Sequence, residues 1–150
     1  MRKRKIGKAN ERLLLSYVAQ DDAKALKQLI DSKLKSIELG PYLIFAACEG
    51  KVHCLSMMIE LGADVNYQNE SNETPFSFAC ADNQLESAKI LYKYGANINT
   101  VLPGNATPLD VAVCWTPPKF RDWLRSIGGI RGKDFAEWPW PPPNSTPHIP

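Results

Sequence analysis

The feature that most restricts this chain is a period. Thr74-Pro75-Phe76-Ser77-Phe78-Ala79-Cys80 aligns with Thr107-Pro108-Leu109-Asp110-Val111-Ala112-Val113 at an offset of 33 residues. Leu61-Gly62-Ala63-Asp64-Val65-Asn66 aligns with Tyr94-Gly95-Ala96-Asn97-Ile98-Asn99 at the same offset, and Gly128 lies a further 33 residues on. Going back, Pro41-Tyr42-Leu43-Ile44-Phe45-Ala46-Ala47 takes the place of the Thr74 block. A single period that fits both ends of each unit restricts the chain to stacked modules, each too small to bury its apolar face alone.

Each unit reads as helix, turn, helix and extended return. Thr74 and Thr107 are N-cap residues whose hydroxyls can accept from orphan backbone N–H groups. Pro75 and Pro108 follow at the first helical position, where no N–H is needed. The spacing predicts short inner helices over 75–81 and 108–115, rich in small residues such as Ala46, Ala47, Ala79 and Ala112 that let neighbours approach. Outer helices carry apolar residues at helical spacing, Leu55, Met58 and Ile59 in one and Ala88, Leu91 and Tyr92 in the next. Gly62 and Gly95 end them by taking up positive φ.

Thr-Pro-Leu-Asp-Val-Ala at 107–112 and Thr-Pro-Phe-Ser-Phe-Ala at 74–79, repeating every 33 residues, resemble the ankyrin repeat with its T-P-L-H-x-A pattern. The resemblance covers residues 11–130 and implies an all-α solenoid of about four helix-turn-helix repeats with short extended loops. The His of the pattern is replaced by Ile44, Ser77 and Asp110, which implies a weakened family hydrogen bond. The repeats are expected at 9–37, 38–67, 68–100 and 101–130, between a basic leader at 1–8 and a Pro/Trp-rich tail at 131–150. Leu13, Leu14, Tyr17 and Val18 belong to the first helix. Ala25, Leu26, Leu29 and Ile30 are expected to face inward on the second. In the irregular last repeat, Thr116 is expected to cap an outer helix over 117–126. The run Trp138-Pro139-Trp140-Pro141-Pro142-Pro143 is expected to be extended. Either Phe135, Trp138 and Trp140 fold back over the end of the stack, or the tail is a ligand for an aromatic groove.

Charge divides the chain. Arg2, Lys3, Arg4, Lys5 and Lys8 open it; without those five, 13 basic residues face 16 acidic ones, a net of about −3. The leader is either a solvated terminus or a nuclear-targeting or nucleic-acid contact. Glu11 and Arg12 interrupt it before any long apolar run develops, which argues against a signal peptide. Cys48, Cys54, Cys80 and Cys114 form no C-x-x-C pair, and free thiols in apolar helices suit a cytoplasmic protein.

Chemistry is hard to find. His53 is expected to face water on the first turn of an outer helix, and His148 lies in the tail. Neither is placed beside a nucleophile, no metal ligands share a useful spacing, and Gly128-Gly129 does not open a helix after a strand. Asp21-Asp22 reads as helix N-terminal charge. No catalytic, metal or cofactor-binding residue is assigned, no cofactor is expected, and the chain reads as a non-enzyme.

What remains is a surface. The resemblance implies partner contacts on the loops and inner-helix ends: Glu38 and Ile37; Tyr67, Gln68, Glu70, Ser71 and Glu73; Val101, Leu102 and Asn105; and Phe45, Glu49, Phe78, Asp82 and Trp115. Its acids are expected to converge on a concave face and draw a protein partner with a basic surface while repelling nucleic acid. Neither membrane contact nor self-association is expected, so the free protein is read as a monomer. The function expected is that of an inhibitor or adaptor. The segment 123–135 resembles the last repeat of bacterial immunity proteins, which neutralise toxins. The alternative is a eukaryotic or viral regulator or scaffold subunit.

Overall fold

The computed structural model describes residues 7–33 and 37–132. Among them lie eight α-helices: α1 (Lys8–Ala19), α2 (Ala23–Lys33), α3 (Gly40–Cys48), α4 (Val52–Glu60), α5 (Pro75–Ala81), α6 (Leu85–Lys93), α7 (Pro108–Trp115) and α8 (Pro118–Ser126). The described residues contain no strand, only an isolated antiparallel bridge between Leu102 and Ala106 that brackets one turn of 3-10 helix at Pro103–Asn105. The all-α expectation holds. Residues 1–6 of the expected leader, and Phe135, Trp138 and Trp140 of the tail, lie outside the described residues.

Odd-numbered helices are inner and even-numbered ones outer. α5 and α7 begin where they do because of reciprocal capping boxes. Thr74 Oγ1 accepts from Ser77 N at 3.1 Å while Ser77 Oγ accepts from Thr74 N at 2.9 Å. Thr107 and Asp110 repeat the exchange at 3.3 and 3.0 Å. The expectation of a weakened hydrogen bond at the missing His is corrected here: Ser77 and Asp110 each close their box. It holds only in the second pair, where Ile44 is apolar and α3 starts without a side-chain cap.

The turn from inner to outer helix needs positive φ, supplied by Asp21 (54°), Gly50 (68°) and Asn83 (55°). The fourth pair cannot repeat this. Thr116 precedes Pro117, which confines it to extended backbone, and its φ and ψ are −110° and 155°. Thr116 was expected to cap the last outer helix. Instead it ends α7, donating Oγ1 to the Ala112 carbonyl at 2.8 Å, and α8 starts at Pro118 with no side-chain cap. Each later outer helix ends in the expected manner, at Gly62, Gly95 and Gly128, with φ of 89°, 88° and 95°.

The core runs the length of the stack. Leu14, Leu43, Phe76 and Leu109 occupy equivalent positions of the four inner helices, and all are buried. Leu26, Leu55, Met58, Leu91, Phe120 and Leu124 face them from the outer helices. Each such side chain contributes roughly 1.5–3 kcal/mol by leaving water. Of the first-repeat residues expected inside, Leu26, Leu29 and Ile30 are buried, Ala25 is half-buried and Leu13 is exposed. Ala46, Ala47, Ala79 and Ala112 bring inner helices together more extensively than outer ones.

Two polar devices hold neighbours in register. Asn66 Oδ1 accepts from Asn97 N and its Nδ2 donates to the Gly95 carbonyl; Asn99 does the same to Ile130 and Gly128. At the front of the stack Asp21 reaches out of its own repeat to cap α4, accepting from Cys54 N at 2.9 Å and His53 N at 3.4 Å. The Asp22 side chain caps α2, accepting from Ala25 N at 2.9 Å. No helix among the described residues is long and apolar enough to cross a membrane.

Candidate protein-binding surface

The inner helices α3, α5 and α7, of seven to nine residues, offer few outward positions, and the repeat aligns them into two tracks. Phe45 and Phe78, with Val111 beyond, form a half-buried apolar track. Four residues on in each helix lies the second track, Glu49, Asp82 and Trp115, all exposed at the C-terminal ends of α3, α5 and α7. Residues four apart on a helix lie on one face, so the tracks run side by side. Trp115 is 49% exposed, unusual for so large an apolar side chain.

From the second repeat onward the charge on this flank is one-sided; the inner helix of the first repeat, α1, carries Lys8 and Arg12. α3, α5 and α7 contain no Lys or Arg, whereas Lys24, Lys27, Lys89, Lys93, Lys119, Arg121 and Arg125 sit on the outer helices. Partial burial and the neighbouring Glu49 push the Asp82 carboxyl above its ordinary value. Burial, then Asp82 and Glu49, push the Cys48 thiol up to about 11. Burial also pushes Cys54 up to about 12 and raises Cys80 further. Such thiols are protonated at neutral pH and poor nucleophiles.

The loops divide into exposed and anchored residues. Gln68, Glu70 and Ser71 are exposed, while Glu38 is half-buried. The loop over residues 67–73 is organised by Asn69, whose Oδ1 accepts from both Ser71 N and Glu73 N, and whose Nδ2 donates to Glu73 Oε2 at 2.9 Å. Glu73 is thus tied down. Tyr67 is half-buried because its ring lies on Gly40; a Cβ there would come within 2.3 Å of it. Val101 is 53% exposed and Asn105 is exposed with φ of 57°. Leu102 does not belong with them. It is buried, its N–H bonded to the Ala106 carbonyl at 2.8 Å, so it supports the loop from beneath.

His53 is exposed, as expected, but not free. Its Nδ1 lies 2.6 Å from Asp21 Oδ2. Partial burial works to raise the Asp21 carboxyl, yet the Cys54 and His53 N–H groups and the His53 ring together hold it below its ordinary value. Asp21 and Asn69 were missed as organisers because the partners of the first lie in another repeat. The Asn66–Asn99 pair shares the period of 33, which was a sufficient signal for a repeated role. Among the described residues no group of three or more His, Cys, Asp or Glu is placed to hold a metal ion.

A family model described as ankyrin repeats matches three copies, over residues 14–101 and 43–130. Protein phosphatase 1 regulatory subunit 27 of Mus musculus is 25% identical over 125 residues, covering 80% of this chain and 79% of that protein. The protein of the same name from Homo sapiens is 25% identical over 107 residues, covering 68% of this chain and 70% of its own length. Alpha-latrocrustotoxin-Lt1a of Latrodectus tredecimguttatus is 30% identical over 95 residues, which span 63% of this chain but 6% of the toxin.

Proposed function

We propose, since the chain belongs to the ankyrin-repeat family, that it is a non-catalytic regulatory subunit or adaptor that grips another protein along its inner flank. The observation that carries this reading is the pair of tracks. Half-buried aromatics beside carboxylates that have no cation on their own helices make a surface that a partner with basic and apolar groups complements. The loops anchored through Asn69 and through Leu102 give that flank a fixed shape, which lowers the ordering cost of binding.

Of the two roles left open by the sequence, toxin neutraliser and regulator, the second is favoured. Relatives named as phosphatase regulatory subunits match the chain over up to 80% of its length. A protein phosphatase 1 catalytic subunit is therefore the first partner to try. In that role the chain changes access to an enzyme's surface and performs no chemistry itself.

The test is capture by the tagged full chain from host lysate, and binding to purified phosphatase 1 catalytic subunit. Trp115→Ala, and Glu49→Lys with Asp82→Lys, are compared with Lys89→Glu and Lys93→Glu on the outer flank. A partner lost with the inner variants and kept with the outer ones is the expected result. A partner held equally by all four, or lost only with the outer pair, overturns the assignment of the inner flank.

A further inference from the structure

We infer that the inner flank is built for an amphipathic α-helix of a partner, lying along the stack, with basic residues at i and i+7. This rests on the proposed inner-flank reading and adds to it the conformation and spacing of the partner segment.

Pitch sets the spacing. Packed helices lie about 8–10 Å apart, so Glu49 and Asp82, at equivalent positions of adjacent inner helices, recur at about that distance. Trp115 continues the series one helix further. An α-helix rises about 1.5 Å per residue and returns to nearly the same face after seven, about 10.5 Å on. Extended strand returns to one face every two residues, about 6.6 Å, or every four, about 13 Å, and matches neither way. Basic side chains at i and i+7 of a helix therefore meet Glu49 and Asp82 in turn, and an apolar residue at i+14 reaches Trp115.

The second track selects a helix on width. Phe45 and Phe78 lie one helical turn from Glu49 and Asp82, so an occupant must cover both stripes at once. A helix with its side chains is about 10–12 Å across and carries adjacent charged and apolar stripes through its i, i+3 and i+4 neighbours. Charge complementarity fixes the sign. With no cation on α3, α5 or α7, the two carboxylates face the flank without an opposite charge from their own helices. A basic helix supplies that charge, and an acidic one is repelled.

The probes are three synthetic peptides, the first two of one composition. The first is a 21-residue helix with Lys at i and i+7, Leu at i+3 and i+10, and Leu at i+14. The second moves the two Lys to i and i+5. The third places Lys at every third residue of a proline-rich, polyproline II background. Affinity for the full chain is measured by fluorescence anisotropy at low and high salt. The heptad peptide is expected to bind at least about tenfold tighter than the i+5 isomer. Glu49→Gln with Asp82→Asn should abolish the difference, and Phe45→Ala with Phe78→Ala should weaken both peptides. Equal binding of the two helical peptides overturns the spacing, and tighter binding of the proline-rich peptide overturns the helix. Failure of all three overturns the inference but leaves the inner-flank reading to the capture experiment, which uses whole partners.

Discussion

Thr74-Pro75 and Thr107-Pro108 open α5 and α7 with the same capping box, yet what lies beyond each box differs. In the third repeat Ser77 closes the box within a stack that continues, and the turn at Asn83 takes positive φ. In the fourth, Asp110 closes it at the last helix pair described. Its second oxygen accepts from Arg131 Nε at 2.9 Å, and the Gly132 N–H donates to the carboxylate as well. Thr107 Oγ1 donates to the Ile130 carbonyl at 2.6 Å. The returning chain thus docks on the cap of α7. A side chain at position 132 would run into the Asn105 carbonyl, which explains a glycine there. One motif is reused: a hydroxyl suffices within the stack, and a carboxylate anchors the chain that leaves α8.

Replacing Asp110 breaks that comparison most sharply. Asp110→Ala strands the Thr107 and Gly132 N–H groups and the half-buried Arg131, and a loss of roughly 2–4 kcal/mol is expected in urea unfolding. Ser77→Ala removes only a cap, at about 1 kcal/mol. Asp110→Ser, which gives repeat four the box of repeat three, should fall between. Equal costs for Asp110→Ala and Ser77→Ala would mean that the returning chain contributes nothing. The pH dependence adds a second check. Burial works to raise the Asp110 carboxyl, but Arg131 and the Gly132 and Thr107 N–H groups hold it below its ordinary value. Its stabilisation is therefore present above the usual carboxylate range and lost as pH falls through the lowered value. Asp110→Ser should flatten that acid limb.

The asparagine staples sharpen the comparison from the other side, since they treat the two repeats alike. Asn66→Ala and Asn99→Ala each remove two bonds between neighbours, and each should cost about 1–2 kcal/mol. The difference lies in where the stack opens. Asn99→Ala should speed hydrogen exchange in α7 and α8 first, whereas Asn66→Ala should loosen α5 and α6 as well. Identical exchange patterns would show that the stack opens only as a whole.

How much of this was legible in sequence follows from the range of each interaction. The inner helices over 75–81 and 108–115 could be bounded because cap, proline and small residues are local signals. The family, the all-α solenoid and the glycine ends of the outer helices came from the same period. Thr116 was misread because a threonine before Pro-Pro looks like an N-cap, whereas its hydroxyl turns back to Ala112. Leu102 was placed on the binding surface because it lies in a loop; the loop folds on itself through Ala106 and turns the side chain inward. Asp21 was assigned to its own helix because nothing local shows that α4 starts beside it.

Asp21 also compares the front of the stack with its end. Like Asp110 it is a carboxylate held low, but it is partly exposed and serves a helix N-terminus of the next repeat. Asp21→Asn keeps one acceptor and loses the charge, so a cost of about 1 kcal/mol at pH 7 is expected, less than at Asp110. The sign is the same: the contribution fades as pH drops through the lowered value, and thermal melts of wild type and variant should converge below it. A gap that persists at low pH would assign the effect to packing and not to charge.

The smallest effect has the opposite sign and bears on the binding flank. Asp82 is raised by burial and by Glu49, so its ionised form weakens the fold wherever it is populated. The penalty is present above the raised value and relieved as pH falls through it. Asp82→Asn should therefore stabilise the free protein slightly at pH 7, by a few tenths of a kcal/mol, within the usual range for a surface change. At low pH it should make no difference. The same substitution is expected to weaken a basic partner, which separates a residue kept for recognition from one kept for stability. A loss of stability at pH 7 would instead make Asp82 a structural acid like Asp21 and Asp110, and would remove the carboxylate repulsion that a basic partner is proposed to relieve.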